Sequence, residues 1–168
     1  MRSIIRNIIN GSLGLLLLSN TLSSCKFSYN QNQKVEVEDK PIVVTTFTVL
    51  ADIARNISGD RLTISSITKP GIEIHGYKPT PSDLIRASRA SLIVENGLGL
   101  ELWADKFISS SPNVPRVVLT EGMNPLFIEG DLYNGKPNPH AWMSPKRAIH
   151  YVDKLVLAFI SIDPSGKE

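Results

Sequence analysis

Four short runs of β-branched and aliphatic residues, separated by stretches of helical periodicity, leave this chain few architectures. The runs are IVVTT at 42–46, LTISSIT at 62–68, SLIVE at 91–95 and PRVVL at 115–119. Each is short, apolar and flanked by turn residues, the pattern of a strand buried on both faces. Between the first two, Val49, Leu50, Ile53, Ala54 and Ile57 recur at helical spacing, and Gly59 offers a stop. Thr80 and Pro81 open a second helix carrying Leu84, Ile85 and Ala87. A third is expected over 100–110, with Trp103 and Phe107 on one face as core residues. Ser144 and Pro145 start a fourth, for which Ile149, Val152, Val156 and Phe159 are the expected buried side, and Asp163-Pro164 ends it. Strand alternating with helix in this way predicts an α/β unit with about four parallel strands and flanking helices. Open sheets of that class bind ligands beyond the carboxyl ends of their strands, so the strand-to-helix connections are where function belongs.

Two of those connections carry a histidine. Residues 69–83 read KPGIEIHGYKPTPSD: Pro70 and Gly71 break the preceding strand, His75 is followed by Gly76, and Thr80-Pro81 starts a helix. Thr80 with Asp83 three residues on is a capping-box pattern. Residues 136–145, KPNPHAWMSP, mirror this arrangement and place His140 between Pro139 and another proline-led helix start. Imidazoles on rigid, proline-bounded loops at one edge of a sheet are half of a metal site. Imidazole suits zinc, manganese or iron, but two ligands are fewer than the usual four. His150, inside the last predicted helix, reads as a surface or packing residue.

The beginning of the chain is of another kind. Arg2 and Arg6 precede an apolar stretch centred on 13–18, which is interrupted by Asn10 and Gly11 and is short for a membrane-spanning helix. It leads to Leu22-Ser23-Ser24-Cys25, which resembles a bacterial lipobox with Cys25 as the lipidated residue. The domain expectation is therefore a lipoprotein signal peptide at 1–24, a lipidated Cys and flexible polar tether at 25–40, and a folded lobe at 41–168. An ordinary signal peptide with Cys25 incidental is the alternative. A single cysteine excludes an internal disulfide. The formal charge of +2, with acids and bases interleaved, excludes an electrostatic case for nucleic acid.

The stretches VVTTFTVLADIARNISGDRLTISSITKPGIEIHGYKPTPSDLIRASRASLIVENGLGLE and NPHAWMSPKRAIHYVDKL are similar to the metal-binding lipoproteins of ABC importers. This is the zinc/manganese cluster of periplasmic solute-binding proteins, which includes receptor antigens once called adhesins. The similarity runs over 42–168. It implies two α/β lobes joined by a long helix, with a transported divalent metal held in the cleft between them. It also implies His75 and His140 as the ligands of the first lobe, and a Glu or His with an Asp from the second. An ABC permease is the implied partner, and a monomer anchored through Cys25 at the cell envelope, facing periplasm or exterior, is the implied setting. The second lobe is absent from this sequence, so a fragment or a truncated gene is expected, with weak and unselective metal binding. Zinc importers of the family commonly carry a His-rich loop before the second histidine. Residues 121–139 contain none, which favours manganese and keeps zinc and iron open.

Two enzymatic functions lack residues they require. Asn96-Gly97-Leu98-Gly99 follows a strand as a dinucleotide fingerprint would, but Leu102 stands where the third glycine belongs and no acid is placed for a ribose. A hydrolytic zinc centre would need three ligands and a base; Glu73 could be the base, but a third ligand is not visible. No enzyme is expected. A surface adhesin using the metal lobe as scaffold is the remaining alternative.

Overall fold

The computed structural model describes residues 39–109, 111–130 and 132–167; the expected signal peptide, Cys25 and most of the tether lie outside them. Strands β1 (Ile42–Thr45), β2 (Thr63–Ser66), β3 (Leu92–Glu95) and β4 (Arg116–Val118) form one parallel sheet in the order β2-β1-β3-β4. Val43 pairs with Ile64 on one side and Leu92 on the other, and Val94 pairs with Val117. The connections are helices α1 (Thr48–Ser58), α2 (Pro81–Ser88) and α3 (Ala104–Ile108). After β4 a long loop with a short 3-10 turn at Ala141–Met143 leads to α4 (Pro145–Ile162). The predicted α/β class and all four strands are present. The order of strands reverses between β1 and β3, so the ligand crevice of such a sheet falls there.

Both faces of the sheet are covered, which is why its strands carry continuous apolar runs rather than alternation. Val43, Leu92 and Val94 face a layer built from Leu50 and Ala54 of α1 and Tyr151, Leu155 and Phe159 of α4. Val44 and Ile93, one residue out of phase, face Ala87 of α2 and Ala104 and Ile108 of α3.

Three sequence expectations are corrected. The third helix occupies only Ala104–Ile108, because residues 98–103 form turns, entered through positive φ at Gly97, Leu98 and Gly99. The side chain of Phe107 is outside the described set. In α2, Ile85 is 53% exposed and the buried apolar residue is Ala87. In α4 the buried stripe is Tyr151, Leu155 and Phe159, whereas Ile149, Val152 and Val156 are exposed. Both sides of α4 are apolar enough to be a core face. The sheet selected the one carrying the phenol, whose hydroxyl has a buried partner. Truncating Leu155 to Ala should therefore cost about 2–5 kcal/mol in urea unfolding. Leu157→Ala, at a position 69% exposed, should change stability by no more than about 0.5 kcal/mol.

Candidate metal centre

The first histidine loop is tied down at both ends. Beyond β2, Ile67 and Thr68 keep pairing with Thr45 and Thr46, so the chain leaves the sheet only at Lys69. The capping box forms: the Asp83 N–H donates to Thr80 Oγ1 at 3.4 Å and the Thr80 N–H donates to Asp83 Oδ2 at 2.7 Å. Asp83 also accepts from the Tyr77 hydroxyl at 2.8 Å and pairs with Arg86. Arg86 in turn donates to the carbonyls of Ser66 and Ile67, linking the cap to the strand end. Burial pushes the Asp83 carboxyl up, but hydrogen bonds from Thr80, Tyr77 and Arg86 outweigh it and hold the group below the usual carboxylate range. Nearer the histidine, Trp103 Nε1–H donates to the Ile74 carbonyl at 2.8 Å, and the His75 N–H donates to Glu73 Oε1 at 2.9 Å.

The second loop folds back on itself before it reaches His140. Phe127 and Pro137 form an antiparallel bridge, and the Asn138 N–H donates to the Leu126 carbonyl at 2.7 Å. Asn138 Oδ1 then accepts from the His140 N–H at 3.0 Å and lies 2.9 Å from His140 Nδ1. A backbone N–H can only donate, so the side-chain atom it meets is the amide oxygen. Nδ1 must therefore carry the ring proton, and Nε2 is left with its lone pair. Asn138 was missed from the sequence, although Asn two residues before a histidine is a readable turn signal. The His140 ring is flanked by Trp142, centroid to centroid 5.3 Å, and Trp142 lies against Phe47 at 4.9 Å.

These loops bring His75 and His140 together, with ring centroids 5.4 Å apart. Both line a cavity of about 700 Å³ with Glu73, Leu98 and Asn138. His75 is exposed and His140 half-buried. Burial lowers the His140 pKa, the neighbouring His75 lowers it further, and Glu73 opposes both. Glu73 is itself held below the usual carboxylate range, chiefly by the His75 N–H. The pocket therefore holds a neutral imidazole and an anionic carboxylate at neutral pH. Among the described residues no group of three or more His, Cys, Asp or Glu is placed to hold a metal ion. His150 is not brought to the site; its Nε2 lies 3.1 Å from the Glu121 carbonyl on the far part of the loop.

Under the pocket runs a buried polar network that sequence reading passed over. Glu101 accepts from the Thr46 hydroxyl at 2.7 Å, the Asn96 N–H at 2.7 Å and the Gly97 N–H at 3.0 Å. Burial raises its pKa, and the three donors work against that rise. These contacts also dispose of the dinucleotide reading. The backbone amides that would cradle a phosphate are already occupied by a carboxylate of the chain itself.

A family model described as zinc-uptake complex component A periplasmic (ZnuA) matches residues 43–168. The "Iron-binding protein YfeA" of Yersinia pestis is 47% identical over 138 residues, covering 82% of this chain and 44% of that protein. The "Manganese ABC transporter substrate-binding lipoprotein PsaA" of Streptococcus pneumoniae is 35% identical over 137 residues, covering 77% and 44%. The solved structure of a manganese-bound periplasmic metal binding protein from Candidatus Liberibacter asiaticus superposes with a TM-score of 0.65 at 33% identity. That match covers 75% of this chain and 47% of the other. The chain thus spans about half the length of the curated relatives it matches.

The loop anchors predict a pH dependence. Asp83 has a depressed folded-state pKa, so its contribution to stability is fully present above the unfolded value of about 3.9 and is lost as pH falls through the folded value. Asp83→Asn should accordingly be destabilised by about 1–2 kcal/mol at pH 7. Its urea midpoint should converge with that of the unsubstituted protein below about pH 4.

Proposed function

Because the chain belongs to the family of periplasmic zinc-uptake component A proteins, solute receptors rather than enzymes, we propose that it captures a divalent transition metal through His75 and His140. It then presents that metal, as cargo, to the permease of an ABC importer. The observation that carries this reading is the 5.4 Å separation of the two imidazoles. With metal–nitrogen bonds of about 2.1 Å, an ion sits roughly 3.2 Å from each ring centroid, and two such rings at a tetrahedral angle have centroids a little over about 5 Å apart. The spacing fits one shared ion. Two further features agree with it. Asn138 holds the Nδ1 proton of His140 and leaves Nε2 for a metal, the usual role of an outer partner. Neutral His140 requires no deprotonation before it can bind.

Two imidazoles and one nearby carboxylate make a half-site, and a half-site binds weakly. The remaining donors would come from a second lobe, as the twofold length of the relatives supports. Manganese is the favoured cargo, since the loop at 121–139 has no histidine cluster, and zinc and iron are its competitors. The names of the relatives, iron-binding in one case and manganese-transporting in another, fall within that set. Anchoring through a lipid on Cys25 belongs to the same proposal, and relatives named as lipoproteins support it.

The test is calorimetric titration of the 168-residue chain in detergent with manganese and with zinc at neutral pH. Weak, saturable binding should fall at least about tenfold, roughly 1.4 kcal/mol, in either His75→Ala or His140→Ala, and vanish in the double variant. Affinity that survives both substitutions would overturn the assignment and favour an adhesive or structural role.

A further inference from the structure

The Asn96-Gly97 pair at the end of β3 has no part in a nucleotide site, yet its backbone and side chain are fully committed. Asn96 is 0% exposed. Its Nδ2 donates to the Pro139 carbonyl at 2.9 Å and to the Gly97 carbonyl at 3.0 Å. Carbonyls only accept, so this end of the amide is the nitrogen and the other end is the oxygen. Asn96 Oδ1 accepts from the Tyr151 hydroxyl at 2.5 Å, at the N-terminal end of the buried stripe of α4. The Asn96 carbonyl accepts from Thr120 Oγ1 at 2.6 Å, beyond the end of β4. Gly97 permits the arrangement: its φ is +91°, and an added Cβ would lie 2.5 Å from both Thr120 Oγ1 and Val118 Cγ1. The peptide that Asn96 grips is the one immediately before His140, since Pro139 supplies its carbonyl and His140 its N–H.

We infer that Asn96, oriented by Tyr151, is the positioning residue for His140: it pins the Pro139–His140 peptide so that the ring meets Asn138 and turns Nε2 into the cavity. The logic is one of donors and acceptors. Proline has no N–H, so Pro139 itself donates nothing to hold this turn. The Pro139 carbonyl, buried with its residue, accepts from the Ala141 N–H at 2.9 Å, a contact within the turn that does not tie it to the sheet. Asn96 Nδ2 supplies that tie at 2.9 Å, and it can face the carbonyl only while Oδ1 is claimed from the opposite side. Tyr151 claims it. The Tyr151 hydroxyl has no competing role as an acid, because burial pushes its pKa far above the usual phenol range. The chain of contacts runs from helix α4 through the end of β3 to the second histidine loop, and it does not touch His75. It therefore acts on one ligand and leaves the other alone.

This inference rests on His140 being a ligand as proposed above, but its test reads the imidazole before any metal is added. Nitrogen-15 NMR of the metal-free 168-residue chain, labelled at histidine and assigned with His140→Ala, reports the tautomer of each ring. His140 should show the Nδ1–H form. In Asn96→Asp, which puts an acceptor against the Pro139 carbonyl, the His140 signals should move towards averaged tautomers while those of His75 and His150 stay in place. Zinc affinity should fall about tenfold or more, the usual consequence of losing an outer partner. Tyr151→Phe removes one hydroxyl and keeps the ring packing, so it should fold and show the same shift to a smaller extent. Folded variants with unchanged His140 signals would overturn the inference. So would equal disturbance of all three histidines, or loss of the fold in both variants, since either result would make the network a folding element only. A His140-specific shift in a protein that binds no zinc would leave the positioning role standing and remove the metal-binding proposal instead.

Discussion

The carboxyl edge of the sheet depends on one buried carboxylate. Glu101, 5% exposed, stands where the strand order reverses between β1 and β3 and takes hydrogen bonds from both sides of that junction. Thr46 donates from the end of β1, and Asn96 and Gly97 donate from the end of β3. A parallel sheet leaves unpaired amides where its strands run out, and buried amides without acceptors are costly, of the order of 1–3 kcal/mol each. In many folds of this class a bound phosphate or water meets those amides. Here a carboxyl group of the chain itself meets them, and the crevice becomes a floor on which loops are laid.

Both histidine loops are laid on it by side-chain-to-backbone contacts rather than by regular structure. Trp103 holds Ile74 from above the floor, while Asn96 holds Pro139 from within it. Each grip falls on the peptide next to a histidine. The result is a pair of imidazoles in different settings: His75 exposed and His140 half-buried, with its tautomer set by Asn138. The asymmetry has a chemical meaning. On the proposed reading, a ring whose lone pair is already aimed would lose little entropy on binding, while the exposed ring would adjust to the ion. With only two imidazoles and Glu73 within the pocket, the order of affinities among divalent metals would follow the intrinsic one, rising from manganese towards copper. On the proposed reading, selectivity would come from donors and geometry beyond these two loops.

Much of the architecture was readable from residue order because it is decided locally. The strands announced themselves by β-branched runs, and the Thr80-Pro81-Ser82-Asp83 cap needed only residues in contact along the chain. The pairing of His75 with His140 was legible through their matching positions on strand-to-helix loops and through family resemblance. Other features were not legible for stated reasons. The third helix is shorter than its apolar spacing implied because Gly97, Leu98 and Gly99 take positive φ to let Glu101 turn inward. With Phe159, which is buried as expected, Ile149, Val152 and Val156 made as good a stripe on paper as Tyr151 and Leu155 did in fact.

The sequence by itself determined the α/β class, the number of strands, the two proline-led helix starts and the two loops on which the imidazoles sit. All of these follow from periodicity, turn chemistry and capping within a few residues. Tertiary structure alone decided which face of α4 is buried and how the second imidazole is aimed. Those outcomes rest on contacts such as Tyr151 with Asn96, 55 residues apart, and Asn96 with Pro139, 43 residues apart. Hydrogen bonds between groups so distant in the chain have no local signature. They exist only once the parallel sheet has brought the strand ends, the long loop and the last helix to one edge.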